Sequence, residues 1–320
     1  MAKELFLKAN NAKGEFVRVA ASFRNFIRAD PQAKFPAEAG RYHLYLSLAC
    51  PWASRTYFLL KAKGLEKVIS KSVVHWKISG DRSWEFIPGK YRCDADTVLG
   101  KETIREIYQT SDPGYSGRVT VPVLFDKKTK KIVNNESSEI IRMLNTEFNE
   151  FCETSEQRKL DLYPEELRST IEKWNDFCYP NVNNGVYRSG FATSQEAYDT
   201  AVAQLFDALD TLEEHLSQNR YLAGRTFTEA DIRLFVTLVR FDMVYVGHFK
   251  CNKRRIVDYP NLWAYTRELY QMPGVDETVD RFHIEHHYQE SHGQINPHGI
   301  VAIGPQLDFT IPHGRDVQFA

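Results

Sequence analysis

The chain has 320 residues, of which 42% are hydrophobic and 13% aromatic, and this apolar content suffices for the cores of two domains. Acidic and basic residues are interspersed and nearly balanced at a formal net charge of -1, so the charge pattern indicates no nucleic-acid partner. No apolar run approaches the roughly 20 residues of a membrane-spanning helix, and the first residues, MAKELFLKAN, lack the pattern of a signal peptide. We therefore expect a cytoplasmic protein with no membrane partner.

The first predicted strand and helix meet at Cys50. Leucines alternate with other residues in RYHLYLSL (41–48), which is the period-two pattern of a strand. From Pro51 the pattern becomes that of a helix, and Gly64 stands where a helix C-cap belongs. The sequence therefore predicts that Cys50 lies at a strand-to-helix corner.

Five further elements are predicted in the first half of the chain. They are a strand at 68–75, a helix at 101–109, strands at 118–126 and 131–135, and a helix at 137–148. The order β-α-β-α-β-β-α, with a thiol at the start of the first helix, is that of a thioredoxin-like domain. Pro122 would disfavour a central strand, but this fold keeps a cis-proline beside its active thiol, so we expect a cis Val121–Pro122 bond.

After Leu162 the chain shows helical patterns alone. A helix is predicted over 165–183, a second from Thr193 with a capping box to Glu196, a third from an N-cap at Thr228, and a fourth over 259–270. The last 30 residues are rich in Gly and Pro and should be extended.

These patterns predict an α/β domain followed by an all-α domain. The predicted segments are an N-terminal extension at 1–40, a thioredoxin-like domain at 41–150, an all-helical domain at 160–290 and an extended tail at 291–320.

The five cysteines are scattered and odd in number, which is not the pattern of a disulfide framework. Most should be reduced. Four of them lack any helix-start context and are expected to be inert, namely Cys93, Cys152, Cys178 and Cys251.

The position of Cys50 favours a nucleophile. Exposed N–H groups and the helix dipole at a helix N-terminus stabilise a thiolate. A lone cysteine is more often a small buried hydrophobe, but the nearby Val121-Pro122 pair reverses that preference. Position 53 is Ala rather than a second Cys, so Cys50 needs a resolving thiol from outside the chain, and glutathione is the obvious source.

Several long segments carry a resemblance to a known family. ACPWASRT, RVTVPVLFDKKTKKIVNNESSEIIRMLN, NNGVYRSGFA and INPHGIVAIGP resemble the glutathionyl-hydroquinone reductases, also called Xi-class glutathione transferases, from about Phe16 to Pro305. The resemblance implies a thioredoxin-like glutathione-binding domain followed by an all-helical glutathione-transferase C-terminal domain. It also implies glutathione as co-substrate and a homodimer.

The resemblance implies a role in glutathione chemistry for five residues. Cys50 would take the glutathionyl group from a glutathionyl-hydroquinone, and a second glutathione would then release oxidised glutathione. Val121 would pair through its backbone with the cysteinyl part of glutathione. Glu136 would bind the γ-glutamyl ammonium and Ser137, at a helix N-terminus, its carboxylate. Trp84 matches a tryptophan that contacts glutathione.

Tyr187 and Tyr288 match two tyrosines that the family places near the hydroquinone ring and its hydroxyls. Three features depart from the family pattern. Gln289 stands where a second adjacent tyrosine is usual, Ser54 stands where a histidine is common, and VVHWKISGDRSW differs in spacing and composition.

Four histidines near the end of the helical region invite comparison with a metal site. They are His283, His286, His287 and His292. His283 and His287 share a helix face, but no Cys-x-x-Cys accompanies them and no carboxylate is spaced as in a metalloprotease. We therefore expect solvated or packing histidines and no metal.

Two other functions remain open from the sequence. An omega-like thiol transferase or dehydroascorbate reductase would also use Cys50, but would lack the Tyr187 and Tyr288 arrangement. A non-catalytic binding protein could use the same fold, although it would need neither the Cys-Pro-Trp segment nor Glu136-Ser137. A thiol titration separates these classes, because a scaffold should show no activated cysteine.

Overall fold

The computed structural model describes residues 10–78, Gly80 and residues 83–320. These residues form two compact units. The sheet unit consists of Ala20–Asp161 and Glu277–Ser291, and the helical unit consists of residues 10–19, Leu162–Asp276 and His292–Ala320. Residues 1–9 of the predicted N-terminal extension lie outside the described residues.

The sheet unit is built on four strands in the order β2-β1-β3-β4. Strand β1 (Tyr42–Leu46) pairs in parallel with β2 (Ser70–Val73) and antiparallel with β3 (Val123–Asp126). Strand β3 pairs antiparallel with β4 (Lys131–Asn134). The thioredoxin-like topology predicted from the order of elements is confirmed.

The α-helices of the described residues alternate with these strands and then fill the second half of the chain. In chain order they are α1 (Pro51–Ala62), α2 (Ile104–Ser111), α3 (Ser137–Thr146), α4 (Ser155–Lys159), α5 (Arg168–Cys178), α6 (Gly185–Gly190), α7 (Gln195–Gln218), α8 (Glu229–Arg240), α9 (Pro260–Tyr270), α10 (Arg281–Ser291) and α11 (Arg315–Gln318).

Strand β1 is more deeply buried than its alternating pattern predicts. All five of its residues are buried, including the polar His43 and Tyr45. His43 Nδ1 lies 2.8 Å from Ser70 Oγ, and the Tyr45 hydroxyl donates to Asp96 at 2.8 Å. The Tyr45 hydroxyl and His43 Nδ1 thus have partners within the buried strand, whereas the buried His43 Nε2 has none among the described residues.

Helix α1 begins and ends as predicted. Pro51 occupies its first turn, where a missing N–H costs nothing. Gly64 follows its last turn with φ +62, in the left-handed region that glycine adopts without strain. The helix packs against α3, and the N-termini of these two helices carry the candidate site.

One predicted cap is wrong by a residue. The N-cap of α7 is Ser194, whose Oγ accepts from Ala197 N–H at 3.2 Å, and not Thr193 with Glu196. Thr193 has other partners, because its N–H donates to Gly14 O at 3.0 Å and its hydroxyl accepts from Asn10 at 3.3 Å. Because Thr193 and Ser194 are adjacent and both carry a hydroxyl group, the sequence alone did not identify which of them is the N-cap. The cap at Thr228 is confirmed, with Asp231 completing a capping box.

Two other elements differ from their predicted extents. The helix predicted over 165–183 ends at Cys178 and continues as a π-helical turn, Tyr179–Asn183, which contains Pro180. The tail is extended over most of its length, but α11 forms near its end.

The compact units have other boundaries than the predicted ranges 41–150 and 160–290. Helix α10, predicted as part of the helical domain, groups with the sheet unit. Residues 20–40 also group with the sheet unit, and residues 292–320 group with the helical unit.

Among the described residues, no helix combines the length and the apolar character needed to cross a bilayer.

Candidate active site

Cys50 is the N-cap residue of α1, with φ -77 and ψ 119. Its side chain is nearly buried at 9% exposure, and its Sγ lies 3.6 Å from Val121 O. The first turn is closed by Ser54, whose N–H and hydroxyl both donate to Cys50 O, at 3.0 and 3.1 Å. Ser54, one of the departures from the family pattern, therefore helps to form the corner that carries the thiol.

Val121 lies at the end of the loop that enters β3. The Val121–Pro122 peptide bond is cis, as predicted. Since the Val121 carbonyl lies beside the Cys50 sulfur, an extended peptide that pairs with the Val121 backbone would place its own side chain close to that sulfur.

Glu136 and Ser137 form the N-terminus of α3. Glu136 is the N-cap, and its Oε1 accepts from Ser138 N–H at 3.0 Å and from Ser138 Oγ at 2.8 Å. Ser137 is the first helical residue and is buried. The positive end of the helix dipole at such a terminus suits a carboxylate, and here the Ser138 N–H is already taken by Glu136.

Arg55 is a residue that the sequence analysis missed. It is 2% exposed, its guanidinium lies 4.4 Å from the centroid of the Trp52 ring, and its Nη1 donates to Ser137 Oγ at 3.4 Å. It thus brings a positive charge to the N-terminus of α3. The available signal was a cation on a helix that continues after Thr56 with the largely apolar segment YFLL (57–60).

Trp84 stacks on His287 of α10. Their ring centroids are 4.9 Å apart with an interplanar angle of 19°, and Trp84 is 6% exposed. His287 Nδ1 donates to Trp76 O at 2.6 Å, and Ile78 N–H donates to Ser291 Oγ at 3.0 Å. The described residues of VVHWKISGDRSW therefore pack against α10, the helix that carries Gln289, within the sheet unit.

The histidines of α10 have packing partners. His283 Nε2 lies 2.7 Å from Tyr91 O, and burial lowers the pKa of His283. His286 Nδ1 lies 2.6 Å from Glu290 Oε1. In the part of the chain that the structure describes, no group of three or more His, Cys, Asp or Glu side chains is arranged to hold a metal ion.

The two candidate tyrosines belong to different units. Tyr288 lies on α10 of the sheet unit and is 1% exposed. Tyr187 lies on α6 of the helical unit and is half-buried. Within that unit the Arg18 guanidinium lies 4.9 Å from the Tyr187 ring centroid, and the ring meets Phe249 edge-on at 5.4 Å.

All five cysteines are free thiols. Burial raises the pKa of Cys93 to about 11 and that of Cys251 to about 12, so both stay protonated at neutral pH. Cys152 and Cys178 are also buried.

Two family descriptions match the chain. The glutathione S-transferase N-terminal domain matches residues 49–147, and the glutathione S-transferase C-terminal domain matches residues 195–268. Together with a thioredoxin-like sheet and a thiol at the first helix N-terminus, these matches define a glutathione S-transferase.

Relatives that match over more than nine-tenths of this chain show which group of glutathione S-transferases it belongs to. Glutathionyl-hydroquinone reductase YqjG of Escherichia coli is 53% identical over 96% of this chain and 94% of that protein. Its glutathione-bound structure has a TM-score of 0.88 over 93% of this chain and 97% of that chain. Glutathione S-transferase Xi from Phanerochaete chrysosporium is 51% identical with a TM-score of 0.88, over 93% of this chain and 99% of that chain. Glutathione S-transferase omega-like 2 of Schizosaccharomyces pombe is 48% identical over 91% of this chain and 94% of that protein. The chain belongs to the family of glutathionyl-hydroquinone reductases, the Xi class of glutathione S-transferases.

Proposed function

We propose that this protein is a glutathione-dependent reductase that removes glutathione from glutathionyl-hydroquinones. The Cys50 thiolate attacks the glutathionyl sulfur, a disulfide forms, and the sulfur–ring bond breaks. The ring carbon keeps the electron pair and takes up a proton, so the hydroquinone leaves reduced. A second glutathione attacks the mixed disulfide, oxidised glutathione leaves, and the Cys50 thiol is restored.

The observation that carries this proposal is the position of the Cys50 thiol at the N-cap of α1, with its sulfur 3.6 Å from Val121 O. Single thiols need an external resolving thiol, and the chain has Ala at position 53. Membership of the reductase family supports glutathione as that thiol.

Four further residues are proposed to hold glutathione. Val121 pairs with its cysteinyl backbone, and Trp84 contacts the peptide. Ser137 and the N–H groups of α3 receive the γ-glutamyl carboxylate, and Glu136 receives the ammonium. The Arg55 guanidinium beside Ser137 supports this assignment, because it adds positive charge where the carboxylate would lie.

Tyr187 and Tyr288 are proposed to serve the hydroquinone. An aromatic carbon is a poor leaving group unless the ring is first protonated there or has tautomerised to a ketone. A phenol that donates a hydrogen bond to a ring oxygen and shares its proton assists that change.

Mass spectrometry of the intact protein tests the thiol chemistry. Incubation with one glutathionyl-hydroquinone per chain, without free glutathione, should add one glutathionyl group to Cys50 and release one free hydroquinone. Added glutathione should remove the adduct as oxidised glutathione. The Cys50→Ala variant should fold normally, because Ala packs at a helix start without strain, and should show neither adduct nor turnover.

Cys93→Ala is the matched control, because burial keeps that thiol protonated. It should form the adduct as the parent protein does. Substantial turnover by Cys50→Ala would contradict the single-thiol mechanism, and an adduct on any other cysteine would contradict the assignment of the nucleophile.

An omega-like thiol transferase or dehydroascorbate reductase is the second candidate, and the similarity to the Schizosaccharomyces pombe protein named glutathione S-transferase omega-like 2 favours an omega-like enzyme. It would share the Cys50 adduct. Rates on dehydroascorbate and on a mixed disulfide, compared with the rate on a glutathionyl-hydroquinone, separate the two activities.

We also propose a homodimer in the cytoplasm. Five free cysteines suit a reducing compartment, and the resemblance to the Xi class supports the dimer. Light scattering at micromolar concentration should give twice the mass of the 37.1 kDa chain. A monomeric mass would refute the dimer and leave the chemistry unaffected.

A further inference from the structure

The hydroxyl of Tyr108 makes hydrogen bonds to two segments that lead into the candidate glutathione site. Tyr108 lies on α2 and is fully buried. Its hydroxyl donates to Thr120 O at 3.0 Å and accepts from Thr120 N–H at 3.3 Å. Thr120 directly precedes Val121, so the Tyr108 hydroxyl fixes the backbone that leads into the cysteinyl-binding residue.

The same hydroxyl holds a second segment. Asn135 is buried, and its Nδ2 donates to the Tyr108 hydroxyl at 2.9 Å and to Thr120 Oγ1 at 3.4 Å. Asn135 directly precedes Glu136 and Ser137. One buried cluster therefore joins the chain before Val121 to the chain before the α3 N-terminus.

The remaining groups of Asn135 bind the segment that precedes β1. Asn135 Oδ1 accepts from Phe23 N–H at 3.0 Å, and Asn135 N–H donates to Phe23 O at 3.1 Å. The Phe23 ring meets the Tyr108 ring edge-on at 5.6 Å. Both donors and the acceptor of the Asn135 amide are thus used, which fixes its orientation.

We propose that Tyr108 and Asn135 are positioning residues for glutathione, which set the spacing between Val121 and the Glu136-Ser137 terminus. This inference rests on the proposed glutathione site. Glutathione must meet both segments at once, its cysteinyl part at one and its γ-glutamyl part at the other. If the spacing between these segments changes slightly, glutathione cannot make its cysteinyl contact and its γ-glutamyl contact at full strength together, so its binding weakens.

The hydrogen bonds among Tyr108, Thr120 and Asn135 are suited to holding the two segments at a fixed distance. Burial raises the pKa of Tyr108 to about 12, so its hydroxyl keeps its proton and remains both donor and acceptor throughout the neutral range. Removal of the hydroxyl would leave the half-buried Thr120 carbonyl and a buried Asn135 side-chain N–H without that partner. Such groups recover partners by shifting the backbone that carries them.

Calorimetric titration of glutathione tests the proposal. The titration is done in a Cys50→Ser background, so that no covalent adduct forms. Tyr108→Phe keeps the ring contacts and removes only the hydroxyl, and Asn135→Ala removes the other side of the shared bond. Each change should raise the Kd of glutathione about three- to tenfold. The double variant should lose much less than the product of the two factors, because the two residues share one hydrogen bond.

Tyr42→Phe is the matched control. Tyr42 is equally buried in the same unit, and its hydroxyl donates a single hydrogen bond, to Pro36 O at 2.7 Å. This variant should lose comparable thermal stability and leave the Kd of glutathione unchanged within about twofold.

Kinetics in proteins that retain Cys50 provide a second measurement. Tyr108→Phe should raise KM for glutathione by a larger factor than it changes the rate of Cys50 alkylation by iodoacetamide, because iodoacetamide has no peptide part that pairs with Val121 or with the α3 terminus. An unchanged Kd in Tyr108→Phe, or an equal rise in Tyr42→Phe, would overturn the inference. A parent protein that binds glutathione but does not turn over glutathionyl-hydroquinones would refute the proposed activity and leave this inference standing. A parent protein that does not bind glutathione would overturn both.

Discussion

Cys50 and Arg55 lie close together on one helix, yet they contact two different segments of the candidate site. The Cys50 sulfur approaches Val121 O, and the Arg55 guanidinium reaches Ser137. Helix α1 therefore positions both the thiol and the guanidinium that lies beside the α3 terminus, where the γ-glutamyl carboxylate would bind. A shift of α1 along its axis would displace both groups together, which preserves their relative geometry.

At the residue scale, we predict that Tyr187→Phe and Tyr288→Phe each slow glutathionyl-hydroquinone reduction by at least roughly tenfold, the lower end of the range for general-acid catalysis. Reduction of a simple mixed disulfide with glutathione should be spared, because its leaving group is a thiolate that needs no phenol. Steady-state rates on the two substrates provide the measurement.

Rates on the same two substrates also define the results that would contradict this prediction. Equal losses on both substrates would mean that the tyrosines only shape the site. No loss on either would mean that they are ordinary core residues, an alternative that the 1% exposure of Tyr288 makes worth testing.

The corner at Cys50 was predicted from the sequence, and the contacts of Arg55 were not, for a physical reason. A strand that ends where a helix begins leaves a local signal in alternation, proline and glycine, which predicted the position of Cys50. The order of elements then indicated a thioredoxin-like fold, from which the cis Val121–Pro122 bond was expected. A long side chain such as Arg55 can reach several directions. Its partner is chosen by how α1 packs on α3, which a single sequence does not reveal.

At the scale of single elements, the first turn of α8 depends on one buried carboxylate. Asp231 accepts from Thr228 N–H at 2.8 Å, from Leu222 N–H at 2.9 Å and from the Tyr265 hydroxyl at 2.7 Å. Burial raises the pKa of Asp231 to about 6, and the hydrogen bonds from the two N–H groups and the Tyr265 hydroxyl oppose that rise because they favour the carboxylate. One side chain therefore caps α8 and ties it to the preceding turn and to α9.

We predict that Asp231→Asn destabilises the protein by about 1–3 kcal/mol, because an amide offers one acceptor oxygen and turns an N–H₂ group toward donors. Thermal unfolding at pH 7 provides the measurement. Glu106→Gln is the control, since Glu106 completes the capping box of α2 at a half-buried position and Gln also suits that role. A loss for Asp231→Asn no greater than that for Glu106→Gln would contradict the prediction.

Some features of the strands and helices follow from local sequence patterns, and others depend on residues far apart in the sequence. Every strand of the sheet was predicted, because burial and alternation are local signals. The cap of α7 was placed one residue early, since Thr193 and Ser194 are both common caps, and Thr193 instead has partners at Asn10 and Gly14. The grouping of α10 with the sheet unit depends on contacts such as Trp84 with His287, far apart in sequence.

At the scale of the whole molecule, α11 anchors the tail through Arg315. This side chain is fully buried, and its Nε donates to Glu268 Oε2 at 2.7 Å. Its Nη2 donates to Asn219 O at 3.1 Å. A charge buried in this way depends on both partners staying in place.

We predict that Arg315→Met destabilises the helical unit by about 1–3 kcal/mol, because the carbonyls of Asn219 and Arg220 lose a donor while Glu268 keeps its ion pair with Arg220 at 2.7 Å. The exposed Arg225→Met is the control and should change stability little. Chemical denaturation followed by tryptophan fluorescence provides the measurement. Equal effects of the two substitutions would show that the anchor contributes nothing.

The division of the chain between the two units has a consequence for protein synthesis and engineering. The sheet unit takes its last helix from Glu277–Ser291, after the whole of Leu162–Asp276 has gone to the helical unit. A ribosome therefore synthesises Leu162–Asp276 of the helical unit before it synthesises α10 of the sheet unit. An exchange of halves with a related enzyme at residue 161 would join α10 from one parent to a sheet from the other, and the Trp84–His287 pair would have to match across that junction.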